Sequence, residues 1–252
     1  MMLLVDIGNT RVKWATSAAG KLSSQQAAAH AGWTATDWHR ALFDGVHVDR
    51  VLAVTVAGAQ SRAALTAAAL AAGTKDVTFV ASTAHQAGVR NAYPQPHLLG
   101  ADRWVAAIGA YHLAGGACCV VDIGTAATID AVAASGQHLG GFIVPGPALM
   151  VQSLHVGTSD LAAHTAASAT GADAHFADNT RDAIDRGCRV ALAALVDRAC
   201  DELARQGGAF PRLYCTGGAV DGVLPYVRTV HEAVPDLVLR GLARIAQEPL
   251  EP

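Results

Sequence analysis

Two short motifs have the composition of phosphate-handling turns. Asp6-Ile7-Gly8-Asn9-Thr10 follows the apolar run Met2-Leu3-Leu4-Val5, and Asp122-Ile123-Gly124-Thr125-Ala126 follows Ala117-Cys118-Cys119-Val120-Val121. In each, glycine permits a tight turn whose backbone N–H groups can face an anion with no Cβ in the way. Asn9 and Thr10 add short donors for phosphate oxygens. A carboxylate at the strand end cannot bind phosphate directly, but it can hold a cation or its water shell beside one. Lys13, on the strand after the first turn, reads either as an ammonium reaching the same anion or as a solvated strand residue. One Asp-x-Gly alone is an ordinary turn. Two of them, each behind a buried strand and each heading one half of the chain, point to phosphate chemistry. The other familiar phosphate loops, G-x-x-x-x-G-K-[ST] and G-x-G-x-x-G, are absent from the sequence.

A third element, Gly100-Ala101-Asp102-Arg103-Trp104, ends a loop containing Pro94, Pro96 and His97. Trp104, Ile108 and Tyr111 or His112 follow at helical spacing, so Asp102 and Arg103 fall in the first turn of a helix, where the dipole favours a carboxylate. Two readings stand side by side. Asp102 is a helix cap with an exposed arginine beside it, or it is a carboxylate base next to a guanidinium that grips an anionic substrate.

The elements that position these residues are legible as patterns. A buried strand, tight turn and second strand open the chain, with Val12, Trp14 and Thr16 alternating against Arg11, Lys13 and Ala15. Alanine-rich helical periodicity covers 34–44 and 60–72, on either side of the buried strand Val51–Val56. Val77–Ala81 is a short strand. The second half repeats the opening, with a strand resuming at Thr128–Val132, a glycine- and proline-rich segment at Gly140–Pro147, and a long helix from Asn179 to about Arg205. Leu213–Cys215 is a strand leading into Thr216-Gly217-Gly218, and the tail 247–252 reads as frayed. Recurrence of the Asp-Ile-Gly turn at residues 6 and 122 is too long a period for a solenoid. It indicates duplicated halves, 1–115 and 116–252, each with its own phosphate loop.

In order along the chain, Asp6–Thr10, Gly100–Trp104, Asp122–Ala126, Gly140-Gly141 with Pro145-Gly146, Asn179-Thr180 and Thr216–Gly218 resemble the type III pantothenate kinases. That family belongs to the actin/Hsp70/sugar-kinase superfamily. The resemblance spans nearly the whole chain, and Gly100-Ala101-Asp102-Arg103 is its family-specific part. It implies an α/β fold of two duplicated ribonuclease-H-like (actin-like ATPase) domains, with mixed central sheets flanked by helices. The C-terminal domain would carry the adenosine-side Gly-Gly motif. It also implies ATP-dependent phosphorylation of pantothenate to 4'-phosphopantothenate, the first step of coenzyme A biosynthesis. ATP with Mg2+ would be held by Asp6, Gly8, Asn9, Thr10 and Thr125, with its phosphates between the two turns; Lys13, not expected throughout the family, joins this set only through its place on the second strand. Asp122 would be the ligand of a monovalent cation, K+ or NH4+. Tyr93, Gly100, Ala101, Asp102, Arg103 and Thr180 would contact pantothenate, with Asp102 as base and Arg103 on the substrate carboxylate. Family members are homodimers, so Thr180 would serve the neighbouring subunit. Thr158-Ser159-Asp160-Leu161-Ala162 departs from the Thr-Ala-x-Leu-Pro pattern that commonly walls the substrate pocket. A regulatory, transcription-associated accessory protein on the same fold is the alternative of another class; a sugar kinase or polyphosphate hydrolase is a third.

Composition narrows the field. Of 252 residues, 52% are apolar and 15% charged, with a mean hydropathy of +0.28. The longest uncharged runs, Trp104–Val121 and Ala131–Ser159, are broken by glycines and histidines, unlike a bilayer span of roughly 20 apolar residues. No secretory signal pattern opens the chain, so a soluble protein is expected. With 18 basic against 21 acidic groups and no Lys/Arg run, nucleic acid is disfavoured as a partner. Five cysteines without a C-x-x-C pair read as small buried hydrophobes of a reduced, cytoplasmic protein. The scattered histidines show no zinc spacing; those between 155 and 175 read as part of a loop. Trp33, Trp38 and Trp104 read as packing residues.

Overall fold

A computed structural model describes residues 1–157, 176–207 and 210–248. The chain forms two compact units. The first comprises Met1–Gly115, Gly136–Gly140 and the segment from Asp236; the second comprises Gly116–Ser135 and Gly141–Pro235.

The first unit opens with β1 (Met2–Ile7), hairpinned to β2 (Arg11–Ala18), followed by β3 (Lys21–Leu22) and β4 (Gln26–Ala29). Helix α1 (Ala35–Phe43) starts at a reciprocal cap in which Thr34 accepts from the Asp37 N–H while Asp37 accepts from the Thr34 N–H, satisfying two donors that would otherwise be orphaned. Then come β5 (Arg50–Thr55), α2 (Gly58–Ala71), β6 (Asp76–Phe79), the small pair β7 (His85–Gln86) and β8 (Val89–Arg90), and α3 (Ala101–Ala114). The sheet order is β3-β2-β1-β5-β6, with β4 also on β2. β1 runs antiparallel to β2 and parallel to β5. Leu3, Leu4, Val5, Ile7, Val51, Leu52, Ala53 and Val54 are all buried, the unbroken apolar signature of strands covered on both faces.

The second unit repeats the plan. β9 (Cys118–Ile123) is hairpinned to β10 (Ala126–Val132), and β11 (His138–Pro145), α4 (Pro147–Gly157) and α5 (Thr180–Gly207) follow. β12 (Arg212–Thr216) and β13 (His231–Ala233) complete a sheet of order β11-β10-β9-β12-β13. β9 again pairs antiparallel with its hairpin partner and parallel with β12. The shared order, an antiparallel hairpin edge followed by parallel strands, is the duplicated ribonuclease-H-like arrangement expected from the sequence. Its core joins Val121, Ile123 and Ile129 of the sheet to Leu192, Val196 and Leu203 of α5. All five cysteines are buried and reduced, and burial pushes the Cys118 and Cys215 thiols up to about 12, as inert core residues. Trp38 and Trp104 are core as well.

The final helix, α6 (Leu237–Ile245), returns to the first unit and packs on α3. Residues 231–245 carry no expectation in the sequence reading, and the Gly140–Pro147 segment proves to hold the end of β11 and the start of α4. No helix among the described residues is long and apolar enough to cross a membrane.

Helices α3 and α6 cross at glycines. A Cβ on Gly109 would come 2.7 Å from the Leu237 carbonyl oxygen, and one on Gly241 would overlap the Val105 carbonyl. These obstacles are backbone, so Gly241→Ala is expected to cost about 1–3 kcal/mol through overpacking despite alanine's better helix propensity. Gly187 in α5 has nothing within 4 Å and is the control. Urea denaturation of both variants checks this: an unshifted Gly241→Ala midpoint would mean that the crossing is loosely packed.

Candidate active site

The first turn is set by strand register. Asp6 lies opposite Lys13 and Ile7 opposite Val12, leaving residues 8–11 to reverse the chain. Asp6 and Lys13 are therefore cross-strand partners on one sheet face, both half-buried. The Gly8 N–H donates to the Arg11 carbonyl at 3.0 Å, and Asn9 and Thr10 are exposed at the tip.

The second turn is built alike but is one residue shorter. Ile123 lies opposite Ala127, so only 124–126 reverse the chain. Thr125 stands exposed where the first turn has Asn9 and Thr10, and Thr128 occupies the place opposite Asp122 that Lys13 has opposite Asp6. The duplicated turns thus differ in charge. Parallel pairing sets Thr216 beside Asp122. Beyond it, Gly217 at φ 103° lies so close that a Cβ would stand 2.5 Å from Asp122 Oδ1, which requires glycine there. The sequence motif after β12 is thereby packed onto the second turn.

A third cluster forms in the first unit around the start of α3. Gly100 is the N-cap residue but has no side chain to cap with. The Arg103 N–H donates to Asp102 Oδ1 at 2.8 Å, so the carboxylate folds back over the helix start. A Cβ on Gly100 would come 2.8 Å from that same oxygen. Arg103 is only 7% exposed, which removes the reading of an ordinary helix start with a solvated arginine. Its Nη1 donates to the Tyr93 hydroxyl at 3.3 Å. The Tyr93 N–H is held in turn by Asn91 Oδ1 at 2.9 Å, and its ring stacks on His138 at 6.4 Å between centroids. Tyr93, Gly100, Ala101, Asp102 and Arg103 therefore come together as one group.

Thr180 lies in the second unit, at the first position of α5, where Asn179 caps the helix by accepting from the Asp182 N–H at 3.0 Å. Residues 158–162 and the histidines at 164 and 175 lie outside the described residues. Two histidines escaped the sequence reading: His138, fully buried behind Tyr93, and His30, whose Nε2 is 2.7 Å from the Gly8 carbonyl oxygen. Neither has a sequence signal, because each reaches its partner through tertiary pairing.

Among the described residues no three His, Cys, Asp or Glu side chains converge as a metal cage. What the turns offer is single carboxylates and backbone oxygens. Such a donor set suits a hard, hydrated ion that takes most of its ligands from phosphate and water.

A family model for type III pantothenate kinases matches residues 2–202. The type III pantothenate kinase of Aromatoleum aromaticum is 40% identical over 248 residues, covering 98% of both chains. The chain belongs to the type III pantothenate kinase family. Among solved structures, the (R)-2-hydroxyglutaryl-CoA dehydratase component A of Acidaminococcus fermentans aligns with a TM-score of 0.54 at 15% identity, over 97% of this chain and 95% of its own. A ROK family glucokinase from Streptomyces griseus, solved with glucose and AMPPNP, aligns at 0.50 and 13%, over 96% and 97%. These two share the fold alone. Within the type III pantothenate kinase family, the crowding at Gly100 generates a specific expectation. Gly100→Ala should leave the circular dichroism of the helices unchanged, because φ there is −54°, yet displace the Asp102 carboxylate. Steady-state kinetics should show turnover reduced at least tenfold, as expected for about 1 Å of misplacement; unchanged turnover would mean that Asp102 accommodates the methyl group.

Proposed function

We infer that this chain transfers the γ-phosphoryl group of ATP to the primary hydroxyl of pantothenate, the first step of coenzyme A biosynthesis. The observation that carries the chemistry is the buried Arg103, tied to Tyr93 directly beside Asp102. A guanidinium fork matches a carboxylate in two parallel hydrogen bonds, and pantothenate carries a carboxylate. Arg103 would hold that carboxylate, with Tyr93 fixing the guanidinium plane and Gly100 and Ala101 leaving room at the helix start.

The pantothenate hydroxyl oxygen bonds to the γ-phosphorus as the bond to the β,γ-bridging oxygen breaks, and ADP leaves with that electron pair. Asp102 takes the hydroxyl proton. In a loose transition state this base chiefly orients the nucleophile. Gly8, Asn9, Thr10 and Thr125 would supply donors to the phosphates, and Lys13 an ammonium. A divalent ion travelling with ATP would neutralise phosphate charge, and Asp6 is the residue suited to hold it or its water shell. Asp122, with Gly217 close against its Oδ1 and Thr128 rather than a lysine opposite it, suits a monovalent ion, K+ or NH4+, that would offset further charge. The working form we propose is a cytoplasmic homodimer, with Thr180 completing the neighbouring subunit's pantothenate pocket.

The regulatory alternative is not favoured, since both Asp102 and Asp122 are retained and the near-full-length relatives are kinases. An ATP-consumption assay tests the proposal. Turnover should require both pantothenate and K+ or NH4+. Asp102→Asn should lower kcat by roughly 100-fold or more, the usual loss for a general base. Arg103→Lys should chiefly raise the pantothenate KM, because a point charge cannot replace a bidentate fork. Pantothenate-independent ATP turnover would overturn the kinase assignment; near-full kcat in Asp102→Asn would overturn the role of Asp102.

A further inference from the structure

The two phosphate turns are braced differently. The second is held by backbone: the Gly146 N–H donates to the Thr125 carbonyl at 2.8 Å, and Gly146 packs so tightly that a Cβ would overlap the Gly124 carbonyl. In the first turn a side chain does this work. His30 follows β4, whose last residue, Ala29, pairs with Arg11 at the foot of the turn. Pairing of β4 with β2 thus delivers His30 beneath Gly8. The residue is 9% exposed, and its ring lies 5.4 Å from the Trp38 ring and sets Nε2 2.7 Å from the Gly8 carbonyl oxygen. A carbonyl oxygen only accepts, so Nε2 must carry the proton. The His30 N–H also reaches the Thr10 carbonyl at 3.4 Å, so ring and backbone grip both ends of the Gly8-Asn9-Thr10 tip.

The consequence follows from peptide geometry. Across a trans peptide the C=O of one residue and the N–H of the next point in opposite directions, and the chain has no cis peptide. With the Gly8 carbonyl drawn toward the buried imidazole, the Asn9 N–H is turned the other way, away from the imidazole. Without the imidazole, the Gly8 carbonyl loses the side-chain donor that sets its direction, while the Gly8 N–H to Arg11 and His30 N–H to Thr10 backbone bonds remain.

We propose that His30 is a positioning residue for the nucleotide: its Nε2–H locks the Gly8–Asn9 peptide so that the Asn9 N–H faces a phosphate oxygen. The proposal rests on the first turn being the ATP-phosphate site, and is independent of pantothenate as the acceptor.

Two variants separate the hydrogen bond from ring packing. His30→Phe keeps an aromatic ring against Trp38 and removes the donor; His30→Gln removes the ring and keeps an N–H donor. Calorimetric titration with Mg-AMPPNP and no acceptor should show binding weakened roughly tenfold in His30→Phe, the scale of one lost hydrogen bond, and largely restored in His30→Gln. The ATP KM should follow, with the pantothenate KM at saturating ATP staying within about twofold. Wild-type affinity in His30→Phe would overturn the proposal. So would equal losses in both variants with a parallel change in the pantothenate KM, the result of a purely structural role. Should wild type itself fail to bind Mg-AMPPNP, the reading of the turn fails rather than the role of His30. A measurement free of substitutions is the imidazole nitrogen NMR spectrum of the wild-type protein, where a proton on Nε2 is expected and an Nδ1–H tautomer would contradict the proposal.

Discussion

Strand register is the constraint on which the candidate site depends. β1, β5 and β9 are buried over most of their length, with Asp6 and Asp122 among the few half-buried positions, so sliding any of them by one residue would move every side chain to the opposite face. Burial of Leu3, Val5 and Ile7, and of Val121 and Ile123, therefore fixes where Asp6 and Asp122 emerge. The same register decides what faces each carboxylate: Lys13 in the first hairpin and Thr128 in the second. Duplication supplied two equivalent strand ends, and a single-residue difference in turn length makes them unequal. The cationic partner in the first turn suits phosphate, and the carboxylate without a lysine opposite it in the second suits a cation.

The acceptor side obeys a different rule. There the candidate residues sit on a helix start, where a carboxylate is favoured by the dipole and where the backbone N–H groups need partners. Asp102 takes one of these N–H groups, that of Arg103, with its own oxygen. Arg103, adjacent in sequence, is turned inward to Tyr93. One helical turn therefore carries both the proposed proton acceptor and the proposed anion grip. Gly100 leaves the space that lets both side chains fold back on the helix start.

Much of this was legible in the sequence. The buried strands, the two Asp-x-Gly turns and α3 announce themselves by apolar runs and periodicity, and the repeated motif implied the repeated sheet. What stayed hidden depended on partners distant along the chain. β4 is Gln-Ala-Ala-Ala, with no β-branched residue to mark it as a strand; the open edge of β2 recruits it. α6 carries Leu237, Leu242 and Ile245 on a buried face, yet nothing local says that it returns to α3. His30 reaches the first turn only because β4 pairs with β2, and His138 meets Tyr93 only across distant sequence. The competing readings of Arg103 could be separated only by its burial, which no spacing reveals.

The most direct test follows the fate of the phosphoryl group by 31P NMR, with protein, Mg2+, K+, ATP and pantothenate together. A single new phosphomonoester resonance growing one-for-one with ADP is expected, and it should vanish when pantothenate is omitted. ADP accompanied only by inorganic phosphate, or ADP formed at the same rate without pantothenate, would contradict the assignment.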